Sequence, residues 1–102
     1  MTTSGEVMHI VLFEWKKEAA PEAIEQAVAA LKGLKATVPG IKELSIGVDF
    51  STRGRNWHHA LVVHFEDKSA LDVYGPHPAH QHVIETFIQH ISQDVMAFDY
   101  VI

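Results

Sequence analysis

Cysteine is absent from the 102 residues. Disulfides and thiolate chemistry are excluded with it, and the absence fits a reducing compartment, so a cytoplasmic location is expected. No purely apolar run exceeds five residues, too short for a membrane-spanning helix, and no membrane partner is expected. Met1–Glu6 lacks a basic stretch followed by an apolar core, so no signal peptide is expected. Positive charge is scarce too: eight Lys and Arg stand against thirteen Asp and Glu, for a net charge of −5. The basic residues are scattered, with Arg53 and Arg55 sharing one expected loop. A nucleic-acid binder needs an electrostatic footprint that this chain lacks, so no nucleic-acid partner is expected. A Gly-rich phosphate loop, a dinucleotide fingerprint and a Gly-x-Ser-x-Gly turn are all missing, which argues against nucleotide cofactors and serine nucleophiles.

What is present is an ordinary globular composition, 47% hydrophobic and 21% charged, with an unusual eight histidines. The length predicts one domain over residues 1–102, with an ordered core from about 7 to 101. Val7–Trp15 reads as a strand apolar on both faces: His9, Val11, Phe13 and Trp15 on one, Met8, Ile10 and Leu12 on the other. Pro21 opens an amphipathic helix through Ile24, Val28, Leu31 and Val38, which Pro39-Gly40 stops. Ile41–Phe50 alternates as a half-buried strand, with Leu44, Ile46, Val48 and Phe50 on one face. Ser51–Asn56 is a polar loop. His58–Glu66 is a third strand, in which the adjacent His58 and His59 point to opposite faces. Asp67 is an N-cap for a short helix, Lys68–Tyr74, ended by Gly75. A second helix is expected from Pro78 to Gln93, and a last strand over Val95–Ile102 with Met96, Phe98, Tyr100 and Ile102 on one face.

Strand, helix, strand, strand, helix pair, strand is the order of an α+β, ferredoxin-like split βαβ protomer. Two helices cover only one face of a four-stranded sheet, yet the first strand is apolar on both. A second copy packed sheet to sheet covers the other face most economically, so a homodimer is expected.

The chemistry concentrates in Tyr74-Gly75-Pro76-His77-Pro78-Ala79-His80. A residue before proline is pushed out of the helical region, so Gly75 and His77 are expected to be extended or turn-like. Pro78 suits the first position of a new helix. His80 then falls in its first turn, near the positive end of the helix dipole, which holds an imidazole toward its neutral form. Neutral His80 could take a proton from carbon while Tyr74 donates to the developing oxyanion. Alternatively, His80 bonds a carbonyl at the kink and Tyr74 packs as a helix-end aromatic. His9 and His59 share parity with apolar neighbours, which leaves open both separate core histidines and a shared polar cavity. His77 is expected to cap the new helix. No metal site is expected: His80 and His82 diverge on a helix, His58 and His59 on a strand, and no His-Glu-x-x-His pattern occurs.

The chain also resembles a known family. His9-Ile10-Val11-Leu12-Phe13, Pro39-Gly40-Ile41, Ala60–Val63 through Phe65-Glu66-Asp67, Tyr74 with His77-Pro78-Ala79-His80, and Asp94-Val95 through Phe98-Asp99-Tyr100 are similar to the stress-responsive dimeric α/β-barrel (Dabb) proteins. The resemblance implies a protomer that pairs through its sheet into a dimeric α+β barrel. It implies a small-molecule cleft between sheet and helices and, in cyclase-type members, acid/base catalysis without cofactors on a small apolar carbonyl or phenolic compound. By the resemblance His80 and Tyr74 are the catalytic pair and His9 and His59 the cleft's supporting histidines; His77, beside them in the motif, is counted with His9 and His59 as a binding residue. Gly75-Pro76 stands where the plant polyketide cyclase of the family has two apolar residues. Two rival readings go with the family: a non-enzymatic stress protein with structural histidines, and a cofactor-free monooxygenase of the related dimeric barrels.

Overall fold

The computed structural model describes residues 5–102. The double-sided apolar strand β1, Val7–Trp15, lies inside the sheet rather than at its edge. It pairs antiparallel with β3, His59–Phe65, on one side and with β4, Ser92–Val101, on the other. The second strand β2, Ile41–Val48, pairs with β3, giving the order β2-β3-β1-β4. This is the ferredoxin-like arrangement expected from the element order.

Strand parity divides the sheet into two faces. Val7, Val11, Phe13 and Trp15 of β1 and Leu61, Val63 and Phe65 of β3 are buried beneath the helices. The opposite face carries Met8, Ile10 and Leu12 beside Ala60 and Val62. Their neighbours on β4 are Met96, Phe98 and Tyr100, which are 46%, 58% and 47% exposed. No helix among the described residues covers that face. At one end of it the Glu6 carboxylate accepts from Lys42 Nζ at 3.0 Å and His64 Nε2 at 2.7 Å. Those bonds, Lys42 first, hold its pKa below the usual value.

The first helix breaks where one long helix was expected. Helix α1 is Pro21–Lys32, and a single further turn, α2, is Leu34–Thr37. Gly33 sits at the break, and its carbonyl accepts both the Thr37 hydroxyl at 3.1 Å and the Ala36 N–H at 3.3 Å. Glycine is a weak helix former, and the re-aimed turn buries Leu34 and Val38.

Strand β2 stops at Val48, not Phe50. The Asp49 carboxylate accepts the Ser51 N–H at 2.9 Å and hydroxyl at 2.7 Å, turning the chain off the sheet. Phe50 is left 98% exposed. Gly40, just before β2, has φ +87°, and a Cβ there would lie 2.6 Å from Ala70 Cβ. Helix α3, Lys68–Tyr74, packs that close because position 40 has no side chain.

The last helix is also shorter than expected. Helix α4, Pro78–Val83, runs into a π-helical turn over Ile84–Ile88, closed by the Gln89 N–H to Ile84 carbonyl bond at 2.9 Å. Residues 92 and 94, expected in the helix or the link after it, pair with Trp15 and Glu14 instead, so β4 begins three residues early. Backbone pairing with an inner strand outweighs helix propensity there.

Candidate functional site

Tyr74 ends α3 and His80 lies in the first turn of α4, so the intervening kink fixes their relative placement. Gly75 departs from expectation: it keeps helical angles, φ −52° and ψ −58°, although it precedes Pro76. Part of the pre-proline clash involves Cβ, which glycine lacks. Its N–H still bonds the Leu71 carbonyl at 3.3 Å. His77 is extended at ψ 133°, and its Nδ1 accepts the Ala79 N–H at 3.0 Å. It caps α4 as the sequence suggested, and lies outside the cavity described next.

A cavity of about 390 Å³ lies between the sheet and the helices, a volume suited to a small organic molecule. Its walls are apolar, with Val11, Phe13, Leu61, Ile84 and Ile88 among them. Three polar side chains meet it at one end: His9, Tyr74 and His80. The Tyr74 ring centroid is 4.3 Å from that of His80 and 5.8 Å from that of His9. Ser92, Val95 and Ala97 of the edge strand β4 also line the cavity, and Val95 is 44% exposed.

The partners fix the protonation pattern. His80 Nδ1 is 2.9 Å from the Gly75 carbonyl. A carbonyl only accepts, so Nδ1 carries the proton and Nε2 keeps its lone pair. Burial is the largest cause holding His80 below the ordinary imidazole value of 6.5. The Gly75 bond opposes the shift, and His9 and His77 add to it. Tyr74 is 2% exposed, and its hydroxyl has no hydrogen-bond partner among the described residues. Burial raises its pKa to about 12. The two groups are therefore displaced in opposite directions, a base made easier to keep neutral and an acid that stays protonated.

His9 Nδ1 meets the Asp99 carboxylate, which pairs across from it on β4. A carboxylate accepts as a carbonyl does, so His9 also donates through Nδ1. Asp99 is the site residue that residue-by-residue reading missed; the signal was the β1–β4 register, which sets it opposite His9.

His59 is not brought into this group. It pairs opposite Phe13, four residues along β1 from His9, or roughly 13 Å. Its Nδ1 accepts the Trp15 indole N–H at 3.0 Å. Shared parity put His9 and His59 on one face, but not at one site. A second hollow of about 430 Å³ lies under the 49–57 loop, floored by Leu12 and Ala60 of the uncovered face. No group of three or more His, Cys, Asp or Glu among the described residues is arranged to hold a metal ion. No helix among them is long and apolar enough to cross a membrane.

Comparison with known proteins agrees with this architecture. The stress-responsive A/B barrel domain family matches residues 7–102. The stress-response A/B barrel domain-containing protein HS1 of Arabidopsis thaliana is 29% identical over 98 residues, covering 94% of this chain and 89% of that protein. A second, longer stress-response A/B barrel domain-containing protein of the same plant is 30% identical over 69 residues. That match covers 67% of this chain and 26% of the longer protein, so the chain spans about a quarter of that relative's length. Among solved structures, a dimeric ferredoxin-like protein of unknown function from Thermobifida fusca superposes with a TM-score of 0.85 at 26% identity, covering 100% and 96% of the two chains. A hydroxynitrile lyase from Passiflora edulis superposes with a TM-score of 0.88 over 97% and 94% of the chains. At 21% identity that likeness is one of fold.

Proposed function

The chain belongs to the stress-responsive A/B barrel domain family, and from that premise we propose that it is a cytoplasmic homodimer whose protomers each bind a small apolar carbonyl or phenolic compound and move a proton on it without a cofactor. The observation that carries this reading is the Tyr74 hydroxyl, buried without a partner at the end of a cavity that also holds His9 and His80. A buried hydroxyl left unsatisfied costs about 1–3 kcal/mol. A ligand oxygen at that end would accept its proton and remove the cost.

The reaction follows from the protonation pattern. His80 Nε2 takes a proton from the carbon beside the carbonyl, and the C–H electron pair becomes the enolate. Tyr74 donates its hydroxyl hydrogen bond to the enolate oxygen. Return of the proton, or attack of the enolate carbon on a second carbonyl of the same molecule, completes an isomerisation or cyclisation. His9, oriented by Asp99, supplies a second imidazole at the same end. The Passiflora edulis lyase shows that the fold accommodates an enzyme; the assignment here rests on the cavity.

Dimerisation is supported by the uncovered face with Met96, Phe98 and Tyr100 and by the relative described as dimeric. Light scattering after size exclusion is expected to give twice the chain mass at micromolar concentration, and a monomer would sink the dimer. Proton exchange is tested separately. The α-hydrogens of a small apolar ketone should exchange with deuterated solvent faster with the protein than without it, and Tyr74→Phe should lose the acceleration while still binding. Equal exchange in both proteins would remove Tyr74 from the reaction.

One observation favours the non-enzymatic reading. His80 Nδ1 and Gln81 Nε2 both donate to the Gly75 carbonyl, at 2.9 and 2.8 Å, so His80 also holds the kink. If that is its whole role, His80→Ala melts several degrees lower and no ligand restores the difference.

A further inference from the structure

His58, just before β3, and His59, its first residue, close on the same residue. The Trp15 backbone N–H donates to His58 Nδ1 at 3.0 Å. The Trp15 indole Nε1–H donates to His59 Nδ1, also at 3.0 Å. Both imidazoles act here as acceptors. Each therefore carries its proton on Nε2, the reverse of His80 and His9. The indole also lies edge-on to the His59 ring, with centroids 5.7 Å apart.

Trp15 is in turn stacked on Phe13, centroids 5.1 Å apart and planes 9° from parallel. Phe13 is a wall of the cavity. Trp15 also sits at the β1–β4 irregularity opposite Ser92, which meets the same cavity. Two hydrogen bonds to histidine nitrogens thus hold the end of β1 and, through one stacked ring, the cavity wall farthest along β1 from His9.

We propose that His58 and His59 form an acid-released clamp on Trp15 that positions the Phe13 wall of the cavity only while both imidazoles are unprotonated at Nδ1. Protonation sets an N–H against an N–H, and the bond to Trp15 is lost. The charged groups on the surrounding elements include Glu14 of β1 and Lys16 just after it, Glu22, Glu25 and Lys32 of α1, Asp49, Arg53 and Arg55 of the 49–57 loop and Asp94 of β4. Glu25 and Lys32 share a groove with His59. Glu14 is bonded to Asn56, Asp49 to Ser51 and Asp94 to the Val95 N–H. Burial of His59, with the neighbouring His58 second, lowers its pKa from 6.5, which keeps the indole bond of the clamp in place at neutral pH and sets its release in acid. The clamp is a separate device from the proton-transfer site and holds or fails whether or not that site is catalytic.

The test is a pH titration of the full chain by NMR. The Trp15 indole N–H resonance is expected to move in one acid transition below pH 6.5, and the Phe13 ring signals to follow with the same midpoint. In the double variant His58→Asn, His59→Asn, the amide oxygen accepts in place of Nδ1 without titrating, so both signals should stay flat over that range. An unchanged transition in the variant would overturn the clamp. A Trp15 transition that leaves Phe13 unmoved would overturn its link to the cavity wall. Should the double variant fail to fold, histidine nitrogen spectra of the wild type at pH 8 decide the matter: protons on Nε2 of His58 and His59 support the clamp, and protons on Nδ1 overturn it.

Discussion

The two ends of β1 use the same side chain in opposite ways. At the Tyr74 end, His80 and His9 donate through Nδ1 to oxygens, the Gly75 carbonyl and the Asp99 carboxylate. At the Trp15 end, His58 and His59 accept through Nδ1 from nitrogens. His77 belongs with the second set, accepting the Ala79 N–H. An imidazole has one lone-pair nitrogen when neutral, so the fixed partner decides what the other nitrogen offers. Rings that donate through Nδ1 are left with a basic Nε2; rings that accept through Nδ1 are left with an Nε2–H. On this account only the first set can act as a base, and the second set is structural.

The comparison breaks most sharply at His80. His80→Gln is expected to slow α-hydrogen exchange of a bound ketone by a factor of about 10² to 10⁴, whereas His59→Asn changes it far less. Comparable losses in both would erase the distinction between the two ends. Tyr74→Phe sharpens it from the side of stability. Removing a hydroxyl that has no partner should raise stability, by about 1 kcal/mol or more and thus several degrees of melting temperature, as exchange is lost. A lower melting temperature would show that the hydroxyl is already satisfied in the free protein.

His77 supplies a control on the cap. His77→Ala should cost about 1 kcal/mol, and His77→Asn, which keeps an acceptor, only a few tenths, by thermal melt. Equal losses would take His77 out of the cap.

The smallest effect is the pH dependence of stability. His80 and His59 both have folded pKa values below 6.5, chiefly through burial. The unfolded chain therefore takes up protons first, and stability is fully present above 6.5 and declines as pH falls through the folded values. Glu6, Asp49 and Asp67 are held below 4.5, 3.8 and 3.8, each chiefly by a side-chain hydrogen bond, so their contribution is lost only at lower pH. Two separate declines are expected in melting temperature between pH 8 and 3, the upper one reduced in the His58→Asn, His59→Asn variant. A flat profile from pH 7 to 5 would contradict the depressed histidines.

Much of the fold was legible because its signals are local. Alternation placed β1, β2 and β3 within a residue or two, and Asp67, Pro78 and His77 marked helix starts that the structure contains. The misplaced boundaries all lie where a distant partner or a single turn overrides propensity. Gly33 breaks α1, Asp49 ends β2 by bonding Ser51, and Trp15 draws Ser92 into β4. The site was legible in its Tyr74–His80 half, since both residues flank one kink. Its other half depended on register. Parity alone could not say that His9 faces Asp99 while His59 meets Trp15, because a face is set by residue number modulo two but a position along it by strand pairing. The β2–β3 register likewise decides that Val48 lies across from His59 while Phe50 lies beyond the last pair.

The measurement that tests the account most directly is a nitrogen-15 histidine spectrum of the wild-type chain at pH 8, where each neutral ring reports which nitrogen holds the proton. Protons on Nδ1 for His80 and His9, and on Nε2 for His58, His59 and His77, are the predicted result. A proton on Nε2 of His80 would contradict it, because no lone pair would then face the cavity from that ring and the proposed base would not exist.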